Sequence, residues 1–367
     1  MAARRRLYPD ARQTLLLRAA LDAASSATRA WTEYAQSASL DQLDEGSTRL
    51  LPLVWTNLTR QGAGAEVAGL ADLERFHHTA RDANARLLRE AGEVLLAFAA
   101  AGVPTIVLKG AALVGTVYDD LGARPVSDMD VLVPGSRIDD AAAVLRSLGF
   151  SARDPMTAAA RRYTHAVLWR RPGAIPVDLH WHVYEECCRP ADDDSLWAAA
   201  LPIRMGEAPT KALSMEDQCI HACVHGEKWV NVPGFRWVAD AVTILRRHPL
   251  DWDRVVQQAA ARGFAIRLRA QLAWLADTFG APVPASALAA LGAVRSGWVE
   301  RLEQRCGVRD TRRPWVLVYA CNHLRASRGP LTAALTFPRY LQAVWRLESL
   351  SAVPRAGLDR VRRRPRP

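Results

Sequence analysis

No disulfide framework, no membrane-length apolar run and no internal repeat can be found in this sequence, and each absence narrows what it encodes. Six cysteines are scattered at irregular spacing over 367 residues, a pattern of reduced thiols in the cytosol and not of a stapled secreted domain. Arg4, Arg5 and Arg6 resemble the start of a secretory signal, but Asp10, Arg12 and Arg18 interrupt the apolar run that such a signal needs next. The long uncharged stretches, Val94 to Leu108 and Thr278 to Val294, are short or marginal for a bilayer, and both carry Gly and Pro. The expectation is a cytoplasmic protein with no membrane span. Half of the residues are hydrophobic, which argues against wholesale disorder and allows two or three domains.

Net positive charge is scarce in the body of the chain, where acids nearly balance the Lys and Arg residues. Of the formal +10, Arg4, Arg5 and Arg6 supply +3, and residues 355–367, with six arginines and one aspartate, supply +5. The basic balance therefore describes the ends and gives no footprint of a nucleic-acid groove, so nucleic acid is not the expected partner.

What is present is a change of period. Residues 11–100 read as helices without a catalytic pattern. From Asp82, Leu87, Leu88, Ala91, Val94, Leu95 and Phe98 share one stripe that Arg86, Arg89 and Glu93 avoid, and Gly102 ends the helix. Then Thr105 to Leu108 reads as a strand, Gly110 to Tyr118 as a helix and Asp128 to Val133 as a strand closed by Pro134. Ser136 to Leu148 reads as a helix capped by Ser136, and His165 to Arg170 and Ala174 to Val183 as strands joined by Arg171-Pro172-Gly173. After Glu185 the chain is expected to return to helices, one of them opened by the capping box Ser214-Met215-Glu216-Asp217. The resulting plan is a helical region 1–101, a core 102–186, a second helical region 187–350 and a basic tail 351–367. The fold class is α/β (α+β), a small mixed sheet flanked by helices.

The chemistry concentrates in residues 105–133, TIVLKGAALVGTVYDDLGARPVSDMDVLV. Side chains alternate across a strand, so Asp128 and Asp130 project together while Met129 and Val131 point away. Two carboxylates side by side repel unless cations sit between them, and hard divalent ions suit that role. An isolated D-x-D is more often two solvated aspartates. Here a later strand, Val177-Asp178-Leu179-His180-Trp181, puts Asp178 and His180 on one face. If the two strands are neighbours, three carboxylates converge on one site able to hold two Mg²⁺ ions. Lys109 and the backbone donors at Gly110 would hold a triphosphate, because a helix N-terminus favours anions.

These residues resemble the nucleotidyltransferase superfamily that includes DNA polymerase beta, whose pattern is a glycine-containing turn, a paired acid and a third acid on a later strand. More narrowly, LLPLVWTNL, VLKGAALVGTVYDDLGARPVSDMDVLV, LGF, VDLHWHV, the His221/His225 helix and FRWVADAVTIL resemble a bacterial family of uncharacterised nucleotidyltransferases. Some of that family occur in peptide natural-product clusters. The resemblance spans about residues 14–280. It implies Asp128 and Asp130 as the metal-binding pair, Asp178 as the third acid that helps deprotonate the acceptor, and Lys109 and Gly110 at the nucleotide turn. It also implies Mg²⁺, with Mn²⁺ as the substitute, and an NTP as co-substrate. The superfamily commonly has Gly-Ser at the turn where this chain has Lys-Gly-Ala, so which phosphorus is attacked stays open.

Other residues carry two readings each. Arg124 is a phosphate contact or an idle loop arginine, and Ser127 joins the expected nucleotide contacts beside the acidic pair. His180 orients a carboxylate or touches nucleotide, and Tyr118 stacks on a base or fills the core. The Cys219, His221, Cys223, His225 string cannot gather on one zinc, because its two i, i+4 pairs lie about 200° apart at about 100° per residue. His221 and His225, with Asp240, line a cleft or pack helices. Trp181 and Trp237 read as core, and Cys187-Cys188 shows no nucleophile signature. The expected activity is transfer of a nucleoside monophosphate from an NTP to a hydroxyl on a small molecule or peptide. The alternatives are phosphoryl transfer at the same site and a non-catalytic protein that binds a partner through its basic ends.

Overall fold

The computed structural model describes residues 8–37, 40–64, 66–226, 235–306, 315–327 and 329–362. The chain opens with α1 (Ala11–Leu21), α2 (Ala24–Ser37), α3 (Glu45–Thr48) and α4 (Leu51–Arg60). Asp10 starts α1 with a capping box, in which its carboxylate and the Gln13 side chain each accept from the other's backbone N–H. Then comes α5 (Leu70–Ala100), a single helix of 31 residues. It stops at Gly102, whose φ of 64° is open to glycine at little cost.

Seven strands come next: β1 (Ile106–Leu108), β2 (Met129–Leu132), β3 (Ser151–Ala152), β4 (Ala166–Arg170), β5 (Val177–His180), β6 (Leu201–Met205) and β7 (Ala208–Ala212). They form one mixed sheet in the order β3-β4-β5-β2-β1-β7-β6. Four helices are interleaved: α6 (Lys109–Thr116), α7 (Ile138–Ser147), α8 (Ala158–Tyr163) and α9 (Asp194–Ala199). Beyond the sheet lie α10 (Met215–Gly226), α11 (Arg236–Arg247), α12 (Trp252–Arg262), α13 (Ala265–Phe279) and α14 (Ala285–Ala293), and further helices run to Arg362. Among the described residues no helix is long and apolar enough to cross a membrane.

Alternation along the strands builds two cores. Val107, Met129, Val131, Val177 and Leu179 face the α5 stripe of Leu87, Val94, Leu95 and Phe98, together with Ile138 and Leu145 of α7. Each such buried side chain contributes roughly 1.5–3 kcal/mol. Ile106, Leu108 and Leu132 face the other way, into a larger core with α1, α4, α6, α10, α11 and α13. The second face carries the acids.

Three expectations are corrected. Residues 201–212, read as helical, form the β6–β7 hairpin, and β7 pairs in parallel with β1. The sheet therefore runs past the expected core boundary at 186. Ser136 does not cap α7; it lies in a 3-10 turn, Gly135–Arg137, that leads into the helix. The start of the basic tail is a helix, Ala352–Arg362, with Val353 and Ala356 packed on a small cluster around Tyr340 and Trp345. The Arg4, Arg5, Arg6 run and residues 363–367 lie outside the described residues.

Candidate active site

The parallel pairing of β2 with β5 sets Asp130 directly opposite Asp178. Both carboxylates and His180 lie on the face shared with α6 and α10. His180 Nε2 sits 3.0 Å from Asp130 Oδ1 and 3.1 Å from Asp178 Oδ2, and Lys109 Nζ donates to the same Asp130 oxygen at 2.5 Å. Lys109 holds a φ of 50° at the junction of β1 and α6, a conformation that costs a β-carbon residue about 1–3 kcal/mol. The buried residues on either side fix the turn, and the turn aims the ammonium at Asp130.

Charges decide the protonation states. Burial opposes ionisation of Asp130, yet the Lys109 charge and the His180 hydrogen bond hold its carboxyl below the usual range. Burial likewise opposes Asp178, and the His180 charge and hydrogen bond hold it well below that range. His180 is wholly buried; burial disfavours its charge, but the Asp178 carboxylate and the bonds to both aspartates raise it to about 9. Asp128 goes the other way. Burial and the neighbouring Asp130 charge raise its carboxyl, with the Ser127 hydroxyl donating to it at 3.3 Å. It is the least compensated acid of the set.

Single donor atoms from Asp130, Asp178 and His180 lie within 4.8 Å of one another. Asp128 is not part of that compact group and instead lines the adjacent cavity. Hard carboxylate oxygens in such a group fit a divalent cation.

The cavity has the β1–α6 turn on one side, with Leu108, Lys109 and Gly110, and Asp128 and Asp130 beside it. Opposite stand Gln218, His221 and His225 of α10 and Arg236, Trp237 and Asp240 of α11, with Glu45 and Arg49 at the α3 end. Ser127 also lines it. Asp178 does not; it is partly exposed on the far side of Asp130. His180 makes no cavity wall either; it is buried against both carboxylates.

Arg124 is no idle loop arginine. It is buried, and its Nε and Nη2 donate to Asp240 Oδ1 and Oδ2 at 2.7 and 2.8 Å. Tyr118, read as a base-stacking or core aromatic, is buried and donates its hydroxyl to Asp240 Oδ1 at 2.8 Å. Among the described residues Arg124 Nη1 has no hydrogen-bond partner, and a β-carbon on Gly110 would stand 2.7 Å from it. Gly110→Ala should therefore destabilise the fold by about 1–3 kcal/mol, because the two hydrogen bonds to Asp240 keep the guanidinium from swinging aside. Urea unfolding reads this, and an unchanged midpoint would show that Arg124 is free to move.

The loop before Asp128 is held from α5. Asn84 donates to the carbonyls of Leu121 and Arg124 at 2.7 and 2.8 Å and accepts from the Val126 N–H at 2.9 Å. His77 bonds both oxygens of Asp120, and Asp120 accepts from Thr56 and from the Gly122 N–H. Gly122 lies so near His77 that a β-carbon would fall 2.3 Å from its Nε2. Sequence reasoning passed over Asn84 and His77. Their signal was two polar residues seven apart on an otherwise apolar stripe.

The remaining candidates separate by face. On α10, Cys219 and Cys223 enter the core, while the rings of His221 and His225 lie 5.4 Å apart and line the cavity. Trp181 is buried and donates to the Arg161 carbonyl. Trp237 is buried but borders the cavity. Cys187 and Cys188 are buried, and burial pushes the Cys187 thiol up to about 12, which leaves it inert.

A family model described as uncharacterised nucleotidyltransferase matches residues 46–280. That span takes in Arg49, the Lys109 turn, all three aspartates, His221, His225 and Asp240. No curated protein matches the chain. Among solved structures, the crystal structure of an antigenic nucleotidyltransferase-like protein from Paracoccidioides brasiliensis is similar over 56% of this chain and 93% of that one. Its identity is 16% and its TM-score 0.37, a likeness too distant to bear on the site.

Proposed function

Because the chain belongs to the uncharacterised nucleotidyltransferase family, we propose that it moves a nucleoside monophosphate from an NTP to a hydroxyl or similar nucleophile on a small molecule or peptide. Such a reaction suits a cytoplasmic tailoring step in natural-product assembly, with no nucleic acid as acceptor. The observation that carries this reading is the register of Asp130 against Asp178, with Lys109 on the shared oxygen and Asp128 facing the cavity.

Asp128, Asp130 and Asp178 would hold Mg²⁺ or Mn²⁺, which when bound supplies charge neutralisation at the phosphate oxygens. The rest falls to the chain itself. The nucleotide occupies the cavity, its phosphates drawn to Lys109, to Ser127 and to the first N–H groups of α6 at Gly110. The acceptor approaches from the exposed side of Asp178. Held far below the usual range, that carboxylate is a weak base and serves mainly to orient the acceptor hydroxyl. His180 fixes it from behind. The acceptor oxygen bonds to the α-phosphorus, the bond from that phosphorus to the bridging oxygen breaks, pyrophosphate leaves and the acceptor proton passes to water. His221, His225 and the Tyr118–Arg124–Asp240 cluster shape the opposite wall.

The Lys-Gly-Ala turn supplies a charge where a serine hydroxyl would otherwise meet phosphate, so attack at the γ-phosphorus is the competing outcome. Mass spectrometry of acceptors incubated with the protein, each NTP and Mg²⁺ separates the two. An added nucleoside monophosphate is expected; phosphate alone, or no product with any NTP, sinks the reading.

A further inference from the structure

Four acids and four Lys or Arg side chains line the cavity, yet three ion pairs use up all but Asp128 and Arg236. Lys109 pairs with Asp130, Arg124 with Asp240 and Arg49 with Glu45. Both Asp240 oxygens are already taken, by Arg124 and Tyr118. Arg236, the first residue of α11, has no carboxylate partner among the described residues, and its one hydrogen bond is a long 3.4 Å to the Pro125 carbonyl. Burial, then the nearby charges of Arg124 and Arg49, push the Arg236 guanidinium down to about 10. Three guanidiniums gathered at one end of a cavity repel each other and gain from an anion between them. The unpartnered Arg124 Nη1 lies in the same place, against Gly110 at the start of α6.

We propose that Arg236, Arg49 and the unpartnered Nη1 of Arg124 form a seat for a phosphate group in the cavity. The three come from the α/β core and from both helical regions, so the core 102–186 would not hold this anion alone. The seat deepens the transferase reading and rests on it for the identity of its occupant, which is either the end of the nucleotide's triphosphate or a phosphate carried by the acceptor.

Calorimetry with sodium tripolyphosphate on the full chain, free of divalent ions and at low salt, tests the seat without requiring turnover. Arg236→Gln and Arg49→Gln should each weaken binding about tenfold or more, the loss of one charge-assisted contact. Arg236→Lys should recover part of the loss and guards against misfolding of the glutamine variant. Asp128→Asn should bind as well as the parent or better. Gln variants that melt normally and bind tripolyphosphate like the parent overturn the proposal, as does a parent protein that does not bind it. ATP and AMP then identify the source. Weakened ATP with unchanged AMP assigns the seat to the nucleotide's tail; unchanged ATP beside weakened tripolyphosphate assigns it to an acceptor phosphate. A working seat with no product from any NTP would sink the transferase reading and leave the seat standing.

Discussion

Asp128→Asn is expected to abolish transfer without weakening the fold, whereas Asp130→Asn should do both. Asp128 sits beside a like charge and its carboxyl is raised by burial and by Asp130, so removing its charge relieves repulsion. Its melting temperature should stay level or rise. Turnover should fall by at least about 10²-fold, the scale on which one electrostatic contact to the transition state is felt. Asp130 has the opposite balance. It accepts from Lys109 and His180 on a single buried oxygen, so an amide leaves two cations without their counter-charge. Breaking a buried pair on one side costs about 3–5 kcal/mol. Turnover and urea midpoints measured on both variants decide the matter. Full turnover in Asp128→Asn would remove the mechanism, and equal stabilities for the two variants would show that the charges are balanced in some other way.

Asp240→Ala should be the most damaging substitution outside the sheet. It strands the buried Arg124 guanidinium and the Tyr118 hydroxyl together, at a cost of about 3–5 kcal/mol. Replacing Arg124 by Met in the same chain should recover part of that, since both charges are then gone. The effect depends on pH in a fixed sense. Burial opposes the Asp240 charge, but Arg124 overcomes it and lowers the carboxyl below its ordinary value. Stability from this pair is therefore complete above the unfolded carboxylate pKa of about 4 and is lost as acid titrates the folded group. The gap between parent and Asp240→Asn in urea midpoint should be wide at pH 7 and shrink on acidification. A gap that widens in acid would contradict this.

How much of the fold and site was legible varies from residue to residue, for physical reasons. The D-x-D strand and the Val177–Trp181 strand were readable because alternation fixes which side chains share a face, and it put the acids opposite Met129 and Val131 as the two cores now have them. The adjacency of β2 and β5 was only a condition, since nothing local specifies which strands pair. The β6–β7 hairpin was missed because Pro202 and Pro209 weaken a strand signal. Even so, burial of Ala208, Thr210 and Ala212 alternates with exposure of Pro209 and Lys211, and Gly206 at φ 58° makes the turn. The buried pairing of Arg124 was not legible because its partner, Asp240, stands 116 residues away. Arg49 lies outside every quoted motif and Arg236 sits in FRWVADAVTIL with no charge pattern around it, so only the fold, which brings α3 and α11 to the cavity, gathers them.

The place of β7 sets a timetable for synthesis. β1 finds one neighbour, β2, within the next few dozen residues, but its other edge waits for a strand encoded some hundred residues later. A ribosome that has released only the segment through residue 186 presents the strand Ile106–Leu108 with an open hydrogen-bonding edge, the kind of surface that templates intermolecular pairing. Excising the segment at that point would thus yield an aggregating fragment, and a usable minimal protein must extend at least past Ala212.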